Sequence, residues 1–87
     1  MPRYFFHLNE CGTVTADEEG REIESAQDVR LLAIEEARTI MAAEVARGKL
    51  CLACTIEVVD EGGGEVLTLD FREAVEIAGL EGGCEAE

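Results

Sequence analysis

The stretch KLCLACTIEVVDEGGGEVLTLDF, residues 49–71, decides the fold. In its first half Cys54, Ile56 and Val58 alternate with Thr55, Glu57 and Val59. In its second half Leu67, Leu69 and Phe71 alternate with Val66, Thr68 and Asp70. A period of two is the signature of a strand with one face against a core. Between the halves, DEGGGE at residues 60–65 tolerates positive φ and reads as a hairpin turn. The three glycines lack the Lys-Ser/Thr and following helix of a phosphate loop, and the acidic residues around them would repel phosphate.

Upstream of this hairpin, residues 26–47 are rich in Ala, Leu, Glu and Arg and free of Gly and Pro, which predicts one long helix. Ser25 is placed to cap its start, with Asp28 as an imperfect capping-box partner, and Gly48 to end it. At an advance of 100° per residue, Val29, Leu32, Ala33, Ile40 and Ala43 share the face expected to meet the core. Leu31, Ile34, Met41 and Val45 form a second apolar row, interrupted by Arg38.

The chain opens with MPRYFFHL, where Tyr4, Phe6 and Leu8 alternate with Phe5 and His7, and continues through Thr13-Val14-Thr15. Residues 3–16 therefore read as a hairpin, followed by the turn DEEGREI at 17–23. The resulting order, β-β-α-β-β, predicts an α+β fold: a small antiparallel sheet with one long helix packed on one face. The expectation is a single domain over residues 1–79, with FREAVEIAG as a short helical turn and residues 80–87 as a flexible acidic tail.

Composition limits the partners. Twenty acidic residues against seven Lys and Arg give a formal charge of −13 in 87 residues, with no basic run. Direct nucleic-acid binding and attraction to an anionic membrane both need a basic face, so neither is expected. No apolar segment has the length of a signal-peptide core or a membrane span, which favours the cytoplasm. In that compartment thiols stay reduced, so Cys11, Cys51, Cys54 and Cys84 are not expected to form structural disulfides.

The opening PRYFFHL, the DEEGREI before the helix and the closing IEVVDEGGGEVLTLDFREAVEI resemble a family of short bacterial proteins. That family, common in alphaproteobacteria such as rhizobia, is known as a domain of unknown function. The resemblance covers nearly the whole chain except its last residues and implies a small α+β protein without assigned activity. The cysteines lie outside the pattern that carries it.

Cys51-Leu52-Ala53-Cys54 has the spacing of half a zinc site. Set along an extended strand, however, residues three apart face opposite ways, and no glycine follows Cys51 to build a knuckle. The expectation is that Cys54 is a core residue and Cys51 faces away, with no metal or other cofactor bound. The alternative is a small zinc-binding protein using Cys51 and Cys54. Cys11, Cys84 and His7 complete four ligands only if the fold gathers distant segments. His7 itself, alternating with apolar side chains, reads as a packed or edge residue.

The remaining functional signals concern contact. A single helix covers one face of a sheet, leaving Phe5, Val59 and Val66 on the other, while Leu31, Ile34, Met41 and Val45 form the helix's second row. Exposed apolar groups of that extent mark an interface. The leading expectation is thus a non-enzymatic protein-interaction module, a homodimer or a partner of another protein. At the level of fold alone, its strand order and charge are similar to those of the small acidic antitoxins that cover basic toxins.

Overall fold

A computed structural model describes residues 2–79. Strands β1 (Arg3–Glu10) and β2 (Thr13–Thr15) form the first hairpin, and β3 (Arg21–Glu22) returns to β1. Helix α1 spans Ala26–Ala46, and β4 (Thr55–Asp60) and β5 (Glu65–Asp70) form the second hairpin. A 3-10 turn, Phe71–Glu73, follows. The fold is α+β, as the periodicities predict, with one more strand than they do: β-β-β-α-β-β. All pairs are antiparallel in the sheet order β2-β1-β4-β5, and β3 shares the β2 edge of β1. The expected tail, residues 80–87, lies outside the described residues.

The gap on that edge is closed by one side chain. Asp17 Oδ2 accepts the Phe6 N–H at 3.1 Å, and Asp17 Oδ1 accepts the N–H groups of Glu19 and Gly20 at 3.2 Å each. Asp17 N–H in turn donates to His7 Nδ1 at 2.9 Å. Burial alone would push the Asp17 carboxyl up, but these three N–H groups, with Arg21 behind them, hold it below its ordinary value. Gly20 is required here: at φ +74° a Cβ would sit 2.9 Å from both Phe5 Cε2 and Arg3 Cγ. Gly20 therefore packs close against Phe5, which is half-buried, whereas the sequence predicts that whole face to be uncovered.

Ser25 caps α1, its Oγ accepting the Gln27 N–H. At the other end Gly48, with φ +89°, forms a Schellman motif: Gly48 N–H reaches the Val45 carbonyl and Lys49 N–H the Glu44 carbonyl. The buried row is Val29, Ala33, Ala37, Met41 and Glu44. This corrects the expected core face. Ala43 is exposed, Leu32 and Ile40 are half-buried, and Met41 leaves the second row to enter the core at 5% exposure. The small residues explain the rotation. Ala33 and Ala37 leave room for the large buried chains of the sheet side, Ile56, Val58, Leu69 and Phe71. Ile40 borders an open cleft with Phe6, Leu8 and Ile56. Arg21 bridges that cleft, lying 5.2 Å from the Phe6 ring centroid and 2.9 Å from Glu36.

The second row is divided by this rotation. Ile34 packs on the core edge, and Arg38 Nε donates to the Ala74 carbonyl at 2.6 Å, tying α1 to the segment after β5. Leu31 and Val45 stay exposed, each at 58%. A β-bulge between Val58 and Val59 sets Val58 against Leu67 and Val59 against Glu65, which leaves Val66 as the extra residue. Val66 thereby borders a groove with Leu67, Ala26, Arg30 and Leu31. Two residues expected on separate surfaces, Leu31 and Val66, line one groove, while Phe5 pairs with Val59 on the other face of the sheet.

Candidate metal centre

The register of β1 on β4 builds a site at one end of the sheet. Asn9 pairs with Thr55, so Glu10 at the end of β1 and Cys11 just beyond it lie beside the residues that lead into β4. There the chain is bent at Leu52 and Ala53, and β4 begins only at Thr55. Cys51 and Cys54 consequently turn toward each other instead of facing opposite ways. The extended-strand expectation for residues 51–54 is thus corrected, because the Schellman reversal at Gly48 delivers this segment as a loop. Phe71 N–H donates to the Cys54 carbonyl at 3.0 Å and fixes the strand-side end.

Cys11 reaches the same place by an unusual backbone. Its φ is +52°, and Gly12 follows at +93°, the pair of positive values that a two-residue type I′ hairpin turn requires. Cysteine is a poor occupant of that position, where the left-handed conformation costs roughly 1–2 kcal/mol for a residue with a Cβ. The strain coincides with a contact: Cys11 Sγ lies 3.3 Å from Cys51 Sγ.

The sulfurs of Cys11, Cys51 and Cys54 all lie within 4.8 Å of one another. Tetrahedral zinc with bonds of about 2.3 Å holds its sulfurs about 3.8 Å apart, so the 3.3 Å Cys11–Cys51 pair would open slightly, and any longer separation would close, to make all three ligands. Cys11 is exposed, Cys51 half-buried and Cys54 fully buried. The three border a cavity of about 290 Å³ with Glu10, Glu44, Lys49 and Leu50. Burial, then the Cys51 thiol, pushes the Cys54 thiol up to about 12. Cys51 is held below the ordinary cysteine value by the thiols of Cys54 and Cys11 and by the Ala53 N–H. Cys11 is raised, chiefly by its hydrogen bond with Cys51.

His7 is not part of this cluster; its Nδ1 is engaged by the Asp17 N–H. Cys84 lies outside the described residues. Glu44 went unnoticed in the sequence because acidic residues are abundant and a single one in a helix has no signature. Chemically, the arrangement suits a soft or borderline cation, and under oxidation Cys11 and Cys51 are the pair placed to join.

Fold and site together define a small α+β domain with a three-thiol pocket where β1 and β4 meet. The chain belongs to the domain-of-unknown-function family DUF6894, whose profile matches residues 3–72 and so includes all three cysteines. No curated protein and no solved structure matches it. No helix among the described residues is long and apolar enough to cross a membrane.

Proposed function

We propose that this protein is a non-enzymatic metal-binding domain that holds one zinc-class ion through Cys11, Cys51 and Cys54. The convergence of three sulfurs from two separate loops carries this reading. Two thiols suffice for a redox pair, whereas three complete most of a zinc coordination sphere. The site suits a reducing compartment such as the cytoplasm, where the thiols remain available to a metal.

Zinc titration in competition with a chromophoric chelator tests it. The wild type is expected to withhold one equivalent of zinc from the chelator, and Cys51→Ser and Cys54→Ser to surrender it. Equal competition by all three proteins would remove the metal reading.

A second reading, self-association, is favoured by the groove that Leu31 and Val66 line beside β5, the strand at the sheet edge. An edge strand offers unpaired N–H and C=O groups, and an apolar groove beside it gives a second copy something to bury.

A further inference from the structure

Glu44 is the one charged side chain buried among the described residues, at 5% exposure. It continues the apolar row Val29, Ala33, Ala37 and Met41, a place where a carboxyl group is costly unless something compensates it. The ion pairs among the described residues are Arg3 with Glu22 and Arg21 with Glu36, and Glu44 belongs to neither. Its only side-chain hydrogen bond there is a long one, Oε1 accepting the Cys51 N–H at 3.3 Å. Lys49 borders the same cavity, but its side chain makes no ion pair with Glu44.

The surroundings supply a different compensation. Glu44 opens onto the cavity that all three sulfurs share, with its carboxylate outside the 4.8 Å cluster of the sulfurs themselves, so the side chain must swing inward to join them. Through its main-chain oxygen it also accepts the Lys49 N–H, so the reversal that carries Cys51 back is anchored on the same residue. A buried carboxyl beside three thiols, paired with no Lys or Arg side chain among the described residues, brings to four the donors of the kinds a divalent zinc-class ion takes.

We propose that Glu44 is the fourth ligand, completing a Cys3Glu site for a divalent zinc-class ion. The inference rests on the three-thiol reading above. Three thiolates and one carboxylate give the same net charge around zinc as a four-cysteine site. Four donors also favour a tetrahedral divalent ion over monovalent copper, which soft thiolates alone would satisfy.

Glutamine at position 44 separates a ligand from a mere hydrogen-bond acceptor, since its amide oxygen can still receive the Cys51 N–H. Cobalt(II) serves as the spectroscopic probe and zinc as the affinity probe, both with the full chain. Wild type is expected to show sulfur-to-cobalt charge transfer and tetrahedral ligand-field bands. Glu44→Gln should keep the charge transfer, shift the ligand-field bands and bind zinc on the order of a hundredfold more weakly, the upper end of losses from outer-shell changes. Glu44→His, with a neutral donor of similar reach, should recover most of that affinity, and it carries the test if the Gln protein does not fold. Unchanged bands and affinity in Glu44→Gln, or no recovery by Glu44→His, would show that Glu44 only caps the loop. Absence of charge transfer in the wild type would instead remove the three-thiol reading itself.

Discussion

Cys11 and Cys51 stand forty positions apart in the chain and hold their sulfur atoms 3.3 Å apart. The antiparallel register of β1 on β4 brings their segments together, and a left-handed backbone at Cys11 completes the approach. The contact is thus made by topology and by local strain together.

That strain sets stability against binding. Cys11→Asn places the residue preferred before glycine in a type I′ turn, and should stabilise the metal-free protein by about 0.5–1 kcal/mol. The same change should weaken zinc binding. Urea unfolding of the metal-free variants, paired with zinc titration, checks both signs. A Cys11→Asn protein that is less stable without metal would mean the turn is not strained at Cys11.

The position of the helix predicts a contrast between two alanines. Ala37 is fully buried and Ala43 exposed. Ala37→Leu should overpack the core and cost about 1–3 kcal/mol, whereas Ala43→Leu should change stability by less than about 0.5 kcal/mol. Comparable costs in denaturant unfolding would restore the face that the sequence pattern indicates.

These two cases show what was legible in the sequence. The long helix and both hairpins could be read because their periods are local and their ends carry Ser25, Gly48 and the 60–65 turn. The helix rotation could not, since apolar residues occupy two rows and the decision falls to Ala33 and Ala37 fitting against the sheet. β3 is two residues long and has no period to detect. The site was half legible. The Cys51–Cys54 spacing was visible, but the bend at Leu52 and Ala53 has no glycine or proline to announce it. Cys11 joins only through the pairing of β1 with β4, which a sequence pattern does not specify.

Asp17 makes stability depend on acid. Its folded value lies below the ordinary 3.8, so its contribution is complete above that value and is lost as pH falls through the lowered one. Asp17→Ala removes the acceptor for three N–H groups, one of them the part-buried Phe6 amide, and should cost about 1–3 kcal/mol at neutral pH. The loss of wild-type stability as pH falls below the ordinary 3.8 should be shallower in this variant. An identical acid limb in both proteins would contradict the role given to Asp17.

The groove beside β5 predicts the form of any self-association. If copies pair there, Leu31→Lys and Val66→Lys should each convert a dimer to a monomer in light scattering, because the new charge would be buried at the contact. Val45→Lys, on an exposed residue that does not border the groove, should not. A wild type that is monomeric at tens of micromolar removes the self-association reading and leaves the metal centre untouched.

The central claim, that three cysteines from distant parts of the chain hold one metal ion, is most directly tested by X-ray absorption at the zinc edge on protein loaded with one equivalent. The predicted spectrum contains three sulfur scatterers at about 2.3 Å and one lighter donor near 2.0 Å. A shell made only of nitrogen and oxygen, or a protein that retains no zinc after desalting, would contradict it.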